Sequence, residues 1–260
     1  MERPTLGGAQ LWIDRRWRDG FRVQRHALFG QHRLLDPRDR VRATGSLAVC
    51  ERALDRAAPP RHHGHLVVVL HGLGRSRRSM RPMVHGLREE GHSVAWLDYA
   101  STRRTLDEHA NDVADLIAHV DADRVSFVTH SLGGLVARAT LPRVTTAHRL
   151  VMCAPPSRGA ALARLLHRRA RPVAGRVFGP VLDELAAGPE VPLPTVPFLV
   201  IAGAKGERIN PLLQGPDDGI VTVEETKLEG MREHLVVDAI HTFVMHHPEA
   251  IAAARRFLRD

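Results

Sequence analysis

Between Leu66 and Leu258 the chain alternates short apolar runs with segments whose apolar residues recur at helical spacing. Leu66–Leu70 is a continuous aliphatic run, the pattern of a strand buried on both faces. Ser93–Leu97, Arg124–Val128, Arg149–Cys153, Phe198–Ala202 and Leu235–Ile240 repeat the theme and predict five more strands. The intervening spacing predicts a helix near Met80–Glu90 and another over Asp107–Val120, with Val113, Leu116, Ile117 and Val120 along one stripe. A further helix opens at Leu132, with Leu135, Val136 and Ala139 on one side, and a last one covers Pro248–Leu258 with Pro in its first turn. Strands alternating with helices imply an α/β fold: a mostly parallel central sheet flanked by helices.

Two stretches leave this rhythm. In residues 1–60, Phe21–His26 and Gln31–Leu35 are expected to pair as a hairpin through Phe29-Gly30. Ser46 caps a helix running to Ala57, and Trp12 and Trp17 are expected to be packing anchors. Between Pro155 and Pro197 there is no strand signal, but Ala160–Arg169 and Val177–Leu185 have helical character. Residues 156–196 are therefore expected to form a helical cap inserted over the sheet edge. The chain, 1–260, is expected to be one domain.

Charge adds one question. The net charge is +8, and Lys205 and Lys227 are the only lysines, so nearly all of it is arginine. The arginines are spread along the chain and aromatics make up only 4%, too few for base-stacking platforms. A nucleic-acid partner is not expected. The leucines and arginines of Leu162–Arg171 fit either a cap helix over the site or a peripheral contact with an anionic membrane. No apolar run reaches the ~20 residues of a membrane-spanning helix. Met1–Trp12 lacks a secretory pattern, and Cys50 and Cys153 make no disulfide framework, so a cytoplasmic setting is expected.

The chemistry is carried by loops that follow strands. Ser131, in Thr129-His130-Ser131-Leu132-Gly133-Gly134, lies between a predicted strand and a predicted helix. That is the setting of a nucleophile elbow, which projects a hydroxyl off the strand end and needs small residues two positions either side. Gly133 fulfils this on one side; on the other stands the larger Thr129. A serine hydroxyl needs a base to take its proton. Of 17 histidines, His241 is the choice, because it follows the last predicted strand and precedes the last helix. His234 precedes that strand, and His246 and His247 adjoin the helix start at Pro248. The acid is expected in Gly215-Pro216-Asp217-Asp218-Gly219, with Asp218 preferred and Asp217 still open. His71-Gly72-Leu73-Gly74 follows the first strand, and the Leu73 and Leu132 amides are the expected oxyanion donors. A phosphate loop is the rival for those glycines, but no Lys-Ser or Lys-Thr follows them. His62-His63-Gly64-His65 is read as a polar lead-in to the first strand rather than a metal site.

From Leu66 onward the chain resembles α/β-hydrolase serine esterases and lipases. The resemblance rests on the His71–Gly74 loop, the Ser131 elbow, the Asp218-Gly219-Ile220-Val221 turn and His241. Similar bacterial lipases have a small residue, not always Gly, where this chain has Thr129. The resemblance implies hydrolysis of carboxylic esters through an acyl-enzyme. That mechanism needs no metal or organic cofactor, and the leucines of the expected cap suggest a small ester with an apolar acyl group. Thioesterase, amidase or acyltransferase chemistry on the same machinery, and a non-catalytic binding protein of this fold, are the alternatives. Oligomeric state is not legible.

Overall fold

The computed structural model describes residues 10–159, 179–188, 190–206 and 213–259. The N-terminal section is more than a hairpin. Strands β1 (Trp12–Arg18), β2 (Phe21–His26), β3 (His32–Leu35) and β4 (Val41–Gly45) form an antiparallel sheet in that order. The flanking strands β1 and β4 escape a pattern reading because arginines interrupt both, as in Trp12–Arg18 and Val41–Gly45. Helix α1 (Leu47–Ala57) follows, its first turn capped by the Ser46 hydroxyl, which accepts from Val49 N–H. It closes a small core of Val23, Leu34, Cys50, Leu54 and Ala58.

The apolar runs become β5 (His63–Leu70), β6 (Ser93–Trp96), β7 (Ala122–His130), β8 (Ala147–Cys153), β9 (Phe198–Gly203) and β10 (Glu233–Val237). They lie in the order β10-β9-β8-β7-β5-β6, and every pairing is parallel. Among the described residues the α-helices between and after them are α2 (Arg81–Glu89), α3 (Leu106–Ala118), α4 (Leu132–Thr140), α5 (Val181–Ala187), α6 (Val223–Thr226) and α7 (Pro248–Arg259). Along β5, Leu66, Val68 and Leu70 join one apolar layer, and Val67 and Val69 join the other. Both faces are dry, which explains the unbroken apolar run.

Several boundaries move. β5 begins at His63, so that histidine is a buried strand residue rather than part of a lead-in loop. β10 is Glu233–Val237 instead of Leu235–Ile240, which places His234 inside the strand. Trp17 sits in the main core, whereas Trp12 lies on β1 beneath the Arg33 guanidinium, 3.8 Å away. Of the expected cap, Ala160–Arg169, the whole of Leu162–Arg171 and the first two residues of Val177–Leu185 lie outside the described residues. The described part holds α5, which buries Val181, Leu182 and Leu185 in the main core.

The strand order reverses at β5: the chain steps outward to β6, then crosses back to β7. In open parallel sheets a crevice forms at the carboxyl ends beside such a reversal. The His71–Gly74 loop leaves β5 and Ser131 leaves β7, so topology alone brings them to the same crevice.

Candidate active site

Ser131 follows β7 directly and precedes α4, with φ 52° and ψ −121°. A non-glycine residue in that region is strained, and such strain concentrates at functional sites. The turn is held by Ser131 N–H donating to Cys153 C=O (2.8 Å) and Gly134 N–H donating to Ser131 C=O (2.9 Å). Gly133 is sterically required, since a Cβ there would lie 2.8 Å from the carbonyl oxygens of both Leu70 and His71. Thr129 is fully buried, and its hydroxyl donates to Val151 C=O across the sheet at 3.1 Å. The larger side chain is thus absorbed by a hydrogen bond.

His241 lies beyond β10 and opens a turn of 3-10 helix, His241–His246. Its backbone N–H donates to Asp218 C=O at 2.8 Å, which fixes the start of that turn. The imidazole joins both partners: Nε2 is 3.0 Å from Ser131 Oγ and Nδ1 is 2.7 Å from Asp218 Oδ2. A carboxylate only accepts, so Nδ1 carries the proton and Nε2 offers its lone pair to the serine hydroxyl. Asp218 Oδ1 is occupied by the N–H groups of Ile220 (3.0 Å) and Val221 (2.8 Å), which orients Oδ2 at the ring. Asp217 faces the other way. Its Oδ1 accepts from Gly219 N–H at 2.6 Å and its carbonyl from Gly206 N–H at 2.6 Å, so it shapes the loop. The structure therefore brings Ser131, His241 and Asp218 together and leaves Asp217 outside that chain.

The two amides expected as oxyanion donors flank the elbow. Leu132 N–H is at the first position of α4, where helix N–H groups point outward. Leu73 follows Gly72, where a Cβ would lie 2.8 Å from His130 Nδ1 and 3.2 Å from Ser131 Cβ, so the loop packs directly on the elbow. Among the described residues neither N–H has an acceptor.

Sequence reading missed the layer behind these groups. His130 Nε2 donates to His241 C=O at 2.9 Å, and the two rings lie 4.9 Å apart. Burial holds the His130 pKa well below the ordinary range, so it is a neutral donor. His71 Nδ1 donates to Gly72 C=O at 2.8 Å, and its ring stacks on Tyr99 with centroids 4.3 Å apart. Burial pushes the His71 pKa down to about 4. The Tyr99 hydroxyl in turn donates to His71 C=O. His130 stood inside the elbow motif, but nothing in its neighbours showed which carbonyl it meets. His246, one of the rejected histidines, donates from Nε2 to Ser79 C=O (2.6 Å) and has a positional role.

Among the described residues no group of three or more His, Cys, Asp or Glu side chains is placed to hold a metal ion. His62 meets Asp121 and Asp123, whereas His63 and His65 turn to the hydroxyls of Ser93 and Ser126. Among the described residues no helix is long and apolar enough to cross a membrane.

Comparison with known proteins bears on the same region. Residues 60–161 match the family described as "Putative serine esterase (DUF676)". That span holds the His71–Gly74 loop and Ser131, and ends before Asp218 and His241. No curated protein matches the sequence. Among solved structures, the mature lipase of Bacillus licheniformis is 17% identical, with a TM-score of 0.61 over 76% of this chain and 94% of that one. An esterase from Pyrococcus furiosus is 20% identical, with a TM-score of 0.55 over 95% of this chain and 89% of that one. A bromoperoxidase from Bacillus anthracis is 16% identical, with a TM-score of 0.55 over 77% of this chain and 94% of that one. Identities this low speak for the fold alone, and one fold hosts several chemistries. The chain has the α/β-hydrolase fold of these lipases and esterases, and its residues 60–161 carry the likeness to a serine esterase family.

Proposed function

We propose that the protein hydrolyses carboxylic esters, with Ser131 as nucleophile, His241 as general base and acid, and Asp218 as the group that orients the imidazole. One observation carries this reading: the unbroken chain from Ser131 Oγ through His241 to Asp218 Oδ2, at 3.0 and 2.7 Å. Each member comes from a separate loop beyond the carboxyl end of a strand, and a solely structural hydrogen bond has no need of three. As Ser131 Oγ attacks the ester carbonyl, His241 Nε2 takes its proton. Asp218 stabilises the imidazolium without taking a proton itself. The developing oxyanion is received by the N–H groups of Leu73 and Leu132, each such donor typically being worth about 10²–10³ in rate. His241 then protonates the departing alcohol, and later draws a proton from the water that releases the acid from Ser131.

A panel of nitrophenyl esters of increasing acyl length tests the proposal. Turnover is expected for at least one member, and Ser131→Ala should lower kcat by about 10⁴-fold or more. A fluorophosphonate should label the wild type at Ser131. Absence of both turnover and labelling would refute the reading. A thioester panel run in parallel separates the sulfur-leaving variant of the same chemistry.

A further inference from the structure

Arg75 follows the His71–Gly74 loop, and its surroundings differ from those of two buried arginines, Arg22 and Arg77. Its backbone is pinned: the N–H donates to Gly72 C=O at 3.3 Å, and the carbonyl accepts from Gln10 Nε2 at 2.6 Å. The neighbouring Gly74 N–H donates to Ser101 Oγ at 3.0 Å. From this fixed base the side chain reaches across the site to Thr242, the residue after His241, and one guanidinium N–H donates to Thr242 Oγ1 at 2.8 Å. Arg75 thus links the loop holding Leu73 to the turn holding His241. That hydroxyl is its one partner among the described residues.

The contrast with Arg22 and Arg77 is chemical. Both of those meet carboxylates, Arg22 at Asp14 and Asp98 and Arg77 at Asp39. Arg75 is half-buried, has no carboxylate within ion-pair reach among the described residues, and leaves most of its donor fork without an acceptor. Burial alone lowers its pKa, with no compensating anion, and its charge reaches both His71 and His130. A guanidinium remains protonated in such a place. A partly desolvated cation with no carboxylate partner among the described residues, fixed between two loops of the candidate site, is complementary to an oxyanion that arrives with the substrate.

Resting on the hydrolase reading, we infer that Arg75 is a specificity determinant that selects esters carrying a carboxylate or phosphate-type oxyanion near the scissile bond. Thr242 holds the fork in place, and the anion takes the remaining N–H groups. The substrate class is then an anionic ester, not a wholly neutral one.

Two matched pairs of esters test this, each pair differing only in charge. In 4-acetoxybenzoate and its methyl ester the charge is on the alcohol side; in mono-4-nitrophenyl adipate and its methyl ester it is on the acyl side. For at least one pair the wild type should favour the charged member by about 10–100-fold in kcat/KM, the range of a charge-assisted hydrogen bond. Arg75→Gln should collapse that ratio towards one, and Arg75→Lys, which keeps the charge but loses the fork, should recover part of it. Added salt should erode the wild-type ratio. No preference in either pair, or a ratio untouched by Arg75→Gln, would overturn the inference. Calorimetric binding of phenylphosphonate needs no turnover and covers the remaining cases. Binding by the wild type but not by Arg75→Gln supports the site even if no ester is hydrolysed, an outcome that would sink only the hydrolase reading. Failure of the wild type to bind while neutral esters turn over sinks only the Arg75 site.

Discussion

The six-stranded sheet buries both faces beneath aliphatic side chains, whereas the four-stranded sheet meets it through a layer of ions beside the buried Trp17. Arg22, 1% exposed, contacts Asp14 and Asp98 through one guanidinium nitrogen and Asp39 through the other. Arg77 joins Asp39 at 2.6 Å, and its backbone N–H donates to Asp98 Oδ1 at 2.8 Å. Gln24 donates to Asp14 and accepts from Arg33. The N–H of Asp14 meets Asp98 C=O, and the N–H of Asp98 meets Asp14 Oδ2, so the β1 strand is laced to the loop after β6. Apolar layers tolerate small shifts; an ion network has one geometry and a large penalty for losing a member. The two regions also divide the labour. Ser131, Asp218 and His241 all lie on loops of the parallel sheet, and the N-terminal sheet supplies none of the three. Damage to one region should therefore abolish the proposed ester turnover without unfolding the protein, and damage to the other should loosen the fold without touching the hydrogen-bonded chain.

The largest effect is expected on the parallel-sheet side. Asp218→Asn keeps the shape but removes the anion that fixes the imidazole tautomer, and kcat should fall by about 10⁴-fold. The denaturation midpoint should move little. Asp217→Asn is the control one residue away: it weakens the bond to Gly219 N–H and should cost about tenfold or less. Equal losses in the two variants would mean that the loop acts as a unit and that Asp218 has no separate role.

On the other side, Arg22→Met fills the same space and leaves Asp14, Asp39 and Asp98 without their shared cation. Removing one partner from a buried ion cluster typically costs about 3–5 kcal/mol. Urea unfolding should show that loss. Hydrogen exchange should accelerate through β1–β4 before β5–β10, and ester turnover should survive at low temperature. A loss below about 1 kcal/mol would show that the network is not what docks the sheet.

The same contrast decides what a reader of the sequence can see. β5 is legible because a strand buried on both faces permits only apolar residues, so Leu66–Leu70 has no alternative reading. Ser131, Asp218 and His241 are legible because their order follows from strand ends, and the glycine at 133 is dictated by the carbonyls of Leu70 and His71. β1 and β4 are not, because Arg15, Arg16 and Arg42 look like solvated charge until Asp112, Asp115 and Asp36 are placed beside them. The partners are 6 to 100 positions distant in the chain, and no local pattern encodes them. His130 and Arg75 stayed hidden for the same reason: their acceptors, His241 C=O and Thr242 Oγ1, are long-range contacts.

Acid should separate the regions by a smaller margin. In the parallel-sheet region burial pushes His71 down to about 4 and His109 to about 3. These groups are neutral when folded but take up protons when unfolded, below the ordinary imidazole value of about 6.5. Their contribution is present in full above pH 6.5 and is lost as the pH falls towards 4, by on the order of 3 kcal/mol at most for His71. In the ion layer burial raises the Asp39 carboxyl, but Arg22 and Arg77 outweigh it and hold it below its usual range, so its contribution persists to more acid pH. Asp98 opposes the trend, since burial and the neighbouring Asp14 raise its pKa. Unfolding free energy should be flat from pH 8 to 7 and decline from 6.5 to 4. His109→Phe, which removes a buried ring that stays neutral in the fold, should flatten the decline. A wild-type profile already flat down to pH 4 would contradict the burial of neutral histidines.

The smallest effect concerns a place where the parallel sheet uses a polar contact like those of its neighbour. Thr129 stands two positions before Ser131, as Gly133 stands two positions after it, yet the two sites make opposite demands. At 133 a Cβ would meet two backbone oxygens at 2.8 Å, so Gly133→Ala must displace either the elbow or the end of β5. At 129 there is room, and the hydroxyl is satisfied by Val151 C=O at 3.1 Å. Thr129→Val keeps the volume and drops that one bond, and should cost about 1 kcal/mol in stability. Thr129→Gly installs the residue usual in such elbows, yet should gain nothing in kcat. It adds strand entropy to the lost bond, for a total of about 1–2 kcal/mol. A kcat rise of tenfold or more in Thr129→Gly would show that threonine crowds the elbow after all. An unchanged kcat with the smaller stability would show that it serves as a brace between β7 and β8.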